Sequence, residues 1–135
     1  MVNNQKRLFK KEYAPELLSI ARGDSVSAHS LFESKNPGRL ENILYLVQQS
    51  VEKSVKSVLV HSQIPFPLVH DLGTIIALLP DKDLPPHGFD LTELNPFASV
   101  RRYEEGSLPL TTREVEIALE LSKEIIEWAE KLLKC

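Results

Sequence analysis

Residues 40–62 read LENILYLVQQSVEKSVKSVLVHS, and this stretch decides the fold. Leu40, Ile43, Leu44, Val47, Val51, Val55, Val58 and Leu59 recur at spacings of three and four, the period of a helix with one apolar face. No glycine or proline interrupts the run between Gly38 and Pro65. Asn36-Pro37 stands in front of it, with Asn36 suited to cap a helix and Pro37 to open its first turn. A helix from there to about Ser62 is expected.

Periodicity extends the same reading in both directions. Upstream, Pro15 suits an opening turn, and Leu17, Leu18, Ala21, Ser25, Ala28, Leu31 and Phe32 share one face. This helix is expected to end near Ser34, with Gly23 weakening it by about 1 kcal/mol relative to alanine. Downstream, Pro65 and Pro67 forbid helix, and a shorter one is expected to begin near Leu68 to His70 and stop before Pro80. The stretch from Pro80 to Pro109 is irregular, with one helical turn expected at Asp90, where Glu93 has capping-box spacing. The last helix opens at Thr111, again with capping-box spacing to Glu114. It buries Val115, Ala118, Leu119, Ser122, Ile125, Ile126, Ala129, Leu132 and Leu133. No strand-like alternation, repeat or low-complexity tract is present. The expected fold is all-α, a four- or five-helix antiparallel up-and-down bundle over about 14–134, with 1–12 a flexible lead.

Bulk properties narrow the function. The 135 residues suit one domain, and 42% apolar content supplies a core. A net charge of −3 offers no overall basic field, which argues against a general nucleic-acid coat. The single cysteine, Cys135, can form neither an internal disulfide nor a thiolate metal cage, which fits a reducing, cytoplasmic compartment. The longest apolar run, Ile75 to Leu79, falls far short of the roughly 20 residues a bilayer span requires. No membrane association and no secretory signal are expected.

Polar residues flank the apolar face of the second helix. Gln48, Glu52 and Lys56 align at four-residue steps, and Gln49, Lys53 and Ser57 form the next strip round. His70-Asp71-Leu72 follows a proline-stiffened loop, where Asp71 is a good helix cap. Arg101-Arg102-Tyr103 offers guanidinium and phenol from the irregular segment.

In this order, the Gln48-Gln49 pair, Glu52-Lys53, Lys56, His70-Asp71-Leu72 and Arg102-Tyr103 resemble the hallmark residues of HEPN domains. Asp24 also sits where that family often has an aspartate, and the resemblance spans roughly Ala14 to Leu132. It implies a helical bundle that forms homodimers and is encoded beside a minimal nucleotidyltransferase, in toxin–antitoxin-type pairs. It also implies a nucleotide site. Lys53, Lys56 and Arg102 would bring positive charge to a phosphate, Gln49 and Tyr103 hydrogen bonds, and His70 with Asp71 would orient the cations.

Many HEPN proteins are ribonucleases that use an arginine and a histidine with four to six residues between them. Here Arg101 and Arg102 are followed by Tyr103-Glu104-Glu105-Gly106-Ser107-Leu108-Pro109, with no histidine. Arg22 and His29 have the spacing but lie on the first helix, outside the family's place for the motif. Cleavage of RNA needs an acid–base group beside the 2′-hydroxyl, so the expectation is a module without ribonuclease activity. His29, His61, His70 and His87 show no metal-ligand spacing, and no glycine-rich phosphate loop exists. Neither metal nor cofactor is expected. Two other readings stay open: a dimerisation module whose polar residues form a closed network, and a divergent metal-independent ribonuclease toxin.

Overall fold

The computed structural model describes residues 5–102 and 109–134. Its centre is α2 (Leu40–His61), which packs along both α1 (Tyr13–Glu33) and α4 (Thr112–Leu133). A fourth helix, α3 (Leu72–Ile76), is a short turn in the connection to α4. The protein is therefore an all-α bundle, with three long α-helices and one short one among the described residues. The brief Ser34–Arg39 connection makes α1 and α2 antiparallel neighbours. None of the described helices is long and apolar enough to cross a membrane.

The apolar stripe of α2 faces inward as its period requires. Ile43, Leu44, Val47, Val51, Val55, Val58 and Leu59 are all buried, each worth roughly 1.5–3 kcal/mol before the cost of ordering the chain. The facing stripe on α1 is small, with Ala14, Ala21, Ser25 and Ala28 buried beside Leu17 and Leu18. Gly23 is accommodated within the helix, which continues unbroken to Glu33. Ser25 and Ser122 hydrogen-bond at 2.9 Å between α1 and α4, and Ser122 also donates to the Leu119 carbonyl at 2.8 Å, so both buried hydroxyls are satisfied. The capping box at the start of α4 is present, with Thr111 and Glu114 each accepting from the other's backbone amide.

Three helix starts differ from the sequence expectation. α2 does not begin at Asn36-Pro37: Gly38 has φ +72, a left-handed conformation that cannot continue a helix, so the helix opens after Arg39. α3 begins at Leu72 rather than near Leu68 to His70. Asp71, itself extended, is its cap and accepts from the Gly73 amide, while Val69 bonds back to the Pro67 carbonyl. The Asp90–Glu93 capping box is absent. A 3-10 stretch over Gly88–Ala98 starts instead behind His87, and Thr92 bonds the Phe89 carbonyl.

Two strands of two residues each lie outside the helical pattern. β1 (Lys6–Arg7) pairs antiparallel with β2 (Phe66–Pro67), in a segment read from sequence as a flexible lead. Aromatic stacking reinforces the pairing: Phe9 lies 5.2 Å from Phe66 and 5.5 Å from Tyr13, centroid to centroid. Gln63 adds a 3.0 Å bond to the Phe9 carbonyl. Phe66 is almost wholly buried by these contacts, and the loop leading to His70 is anchored with it.

Candidate functional site

Because α2 is covered by helices on one side and by the 64–102 connection on another, its polar strip is enclosed rather than solvated. Gln48, Gln49, Glu52 and Lys56 are all buried. The centre of the resulting cluster is the Glu52 carboxylate. Its Oε1 accepts from Gln48 Nε2 at 3.0 Å and pairs with His70 Nδ1 at 3.0 Å. Its Oε2 accepts from Lys56 Nζ at 2.8 Å. Three partners suit an ionised carboxylate, which accepts and cannot donate. Gln48 also donates to the His70 carbonyl at 3.2 Å, so one glutamine fixes both Glu52 and the residue it binds. Gln49 in turn donates to Gln48 Oε1 at 2.7 Å. Lys56 also lies over the Phe66 ring, 5.8 Å from its centroid.

The cluster grades from sealed to open. The Glu52 side chain is 4% exposed and that of Lys56 11%, whereas His70 is 70% exposed. Lys53 projects to the next face, where its ammonium meets Asp24 of α1 at 2.6 Å and remains 25% exposed. Asp71 accepts from Gly73 N at 3.1 Å, Thr74 Oγ1 at 2.8 Å and Asn95 Nδ2 at 2.7 Å. Asn95 also accepts from the Leu72 amide, tying the 3-10 segment to the start of α3.

The structure brings Gln49, Lys56 and His70 into one network and places Lys53 on the adjoining face. Asp71 serves as helix cap and anchor for Asn95, and its bonds among the described residues go to Gly73, Thr74 and Asn95. Glu52 orients the His70 ring. Arg102 is placed only by its backbone, at the end of the 3-10 turn Val100–Arg102, and Tyr103 lies outside the described residues. The neighbouring Arg101 packs on α2, reaching Glu41 at 3.5 Å with its guanidinium over Phe97. Glu41 and Glu52 fall on one face, and at 1.5 Å per residue they stand roughly 16 Å apart along the helix. Arg101 and His70 therefore mark opposite ends of one polar strip.

Sequence reasoning missed Glu52 and Gln48 as the organising pair, and Asn95 altogether. The strip Glu41, Tyr45, Gln48, Glu52, Lys56 carries the signal for the first two, since polar side chains repeat along it at helical spacing. Arg22 and His29, which have the ribonuclease spacing, turn to different partners: Arg22 to Glu130 and His29 to the Ser25 carbonyl. His87 bonds Glu124 at 2.9 Å, beside a cavity of about 560 Å³ near one end of α4 that includes none of the α2 strip. Among the described residues no three histidine, cysteine or acidic side chains are grouped to hold a metal.

Fold and site together define a helical-bundle module with a polar strip on its central helix. A model of the HEPN domain matches residues 14–132, and the chain belongs to the HEPN family. No curated protein and no solved structure gives a significant match to the chain. Family membership makes the chain a helical module of nucleotide-binding or ribonuclease type.

Proposed function

We propose that this HEPN module binds a nucleotide at the open end of the α2 strip. On this reading it works beside a minimal nucleotidyltransferase in a toxin–antitoxin-type pair, without ribonuclease activity of its own. The observation that carries the nucleotide reading is the gradient of exposure around Glu52: a rigid, buried carboxylate presents the solvent-facing imidazole of His70. Such a group, held by a buried partner and open on its other side, is arranged to meet a ligand. Lys53 is the cation for a phosphate, because an ammonium has three donors and Asp24 takes one. Lys56 is spent on Glu52 and Phe66, so its part is structural.

The pairing with a nucleotidyltransferase and the homodimer rest on the family resemblance. A further feature supports self-association: Ser19, Ile20, Gly23, Val26, Ser27 and Ser30 form an exposed, uncharged stretch along α1, with Glu16 at its start and Arg22 and Glu33 at its edge. The test of the nucleotide reading is calorimetric titration of ATP and GTP into wild type and Lys53→Ala. Wild type should bind and the variant bind several-fold more weakly. Failure of wild type to bind either nucleotide at millimolar concentration would refute the reading and leave the buried network as a device for holding the 64–102 connection in place. An adjacent gene for a minimal nucleotidyltransferase, and co-purification of its product, is the expected outcome for the partner.

A further inference from the structure

We infer that the groove between the 3-10 stretch Gly88–Ala98 and α4 is the docking site for a protein partner that presents an amphipathic helix with lysine or arginine beside its apolar face. The inference is independent of the nucleotide reading, and the groove includes neither His70 nor Lys53.

The argument begins with the period of the 3-10 stretch. Side chains three residues apart eclipse one another in a 3-10 helix, so Leu91, Leu94 and Phe97 form one row, and Asp90 and Glu93 form the row beside it. The apolar row is buried, whereas both acids are exposed. Across the groove stand Ile117 and Leu121, one turn apart on α4, with Leu110 ahead of the helix. Together these side chains line a cavity of about 310 Å³, and Ile117 is 53% exposed at its edge. Glu114, one turn before Ile117, completes an acidic rim with Asp90 and Glu93, and among the described residues no lysine, arginine or histidine lines the groove. Glu114 gives one oxygen to the Thr111 amide, and Asp90 and Glu93 meet no cation among the described residues. The nearest guanidinium in sequence, Arg113, pairs with Glu116 and lines the larger cavity beside His87.

What fits follows from the backbone and the charge. The groove runs between two helical walls, and neither described strand borders it. An extended peptide would find no strand edge to pair with, whereas a helix bonds its own main chain and needs only side-chain contact. Apolar residues three and four apart on such a helix would meet the Leu91 row and the Ile117 ridge. Three carboxylates around that apolar floor select cationic flanks and repel acidic ones. A second copy of this chain is a poor match. A two-fold contact through the groove would set its carboxylates against themselves. The basic stretch Lys6-Arg7-Leu8, with Leu8 exposed, is not a helix, and its first two residues are already paired to β2.

Selection from a display library of random peptides, each of about 16 residues or roughly four helical turns, tests the inference on the full chain. Enriched sequences should carry apolar residues three and four apart with lysine or arginine beside them. A synthetic peptide of enriched sequence, titrated by fluorescence anisotropy, should bind Ile117→Lys at least about tenfold more weakly than wild type, because a cation then stands at the apolar edge. Asp90→Lys combined with Glu93→Lys should weaken binding about three- to tenfold, and added salt should weaken binding to wild type. All three positions are exposed, so both variants should keep the wild-type circular dichroism spectrum. Enrichment of no sequence, of acidic sequences, or of sequences that bind Ile117→Lys as tightly as wild type would overturn the inference. So would a wild-type oligomer in sedimentation velocity that Ile117→Lys dissociates, since a second copy would then occupy the groove.

Discussion

Replacing Glu52 by alanine removes the acceptor shared by Gln48, Lys56 and His70. Breaking a buried ion pair from one side costs about 3–5 kcal/mol, because the remaining charge is left uncompensated. The lower end applies here. Lys56 retains 11% exposure and a flexible stem that can carry its ammonium toward water, and His70 is already open to solvent. Gln48 loses one of its two acceptors and keeps the His70 carbonyl. A loss of about 3 kcal/mol follows. With a urea slope of about 1.5 kcal/mol per molar, the unfolding midpoint should fall by about 2 M at unchanged slope. The double variant Glu52→Leu with Lys56→Met exchanges the pair for apolar side chains of similar length, and should return to within about 1 kcal/mol of wild type. Equilibrium urea unfolding followed by circular dichroism measures both. A Glu52→Ala midpoint within about 0.3 M of wild type would refute the claim that this carboxylate organises the cluster. A double variant no better than the single one would show that the cost lies in packing and not in the unpaired charge.

Three further outcomes are expected. Gly23→Ala places a methyl on an exposed turn of α1 with nothing within 4 Å, and should stabilise by about 0.5–1 kcal/mol, read as a raised thermal midpoint. Asp71→Ala removes the cap of a five-residue helix together with the anchor of Asn95. It should cost about 1–2 kcal/mol and speed hydrogen exchange at the Gly73 amide, while exchange in α4 stays slow. Phe66→Ala empties the site between Phe9 and Lys56, and should cost about 3–5 kcal/mol in denaturant unfolding.

Helical content was legible from sequence because it is a local, periodic property. The α2 stripe and the Thr111–Glu114 cap of α4 are written in neighbouring residues, and the structure has both. The start of α2 was harder to read, since Asn36-Pro37 has good capping chemistry and only the positive φ of Gly38 removes it. The site was half legible for a different reason. Spacing identifies which side chains line up on α2 but not which line is enclosed, and that depends on how the 64–102 connection lies across the helix. Lys53 and Lys56 look equivalent in the sequence, yet one meets Asp24 near the surface and the other is sealed against Glu52. Asn95 sits in a 3-10 segment with no periodic pattern, so its bond to Asp71 is a product of tertiary packing alone.

The clasp between Lys6–Arg7 and Phe66–Pro67 imposes an order on synthesis. Its first half leaves the ribosome early, and its second half emerges only after α1 and α2 have been translated. Until then Phe9 has no Phe66 to stack on, and only Tyr13, four residues on, can cover its ring. Once closed, the clasp ties the loop bearing His70 to the segment ahead of α1, across the two helices that separate its halves in sequence.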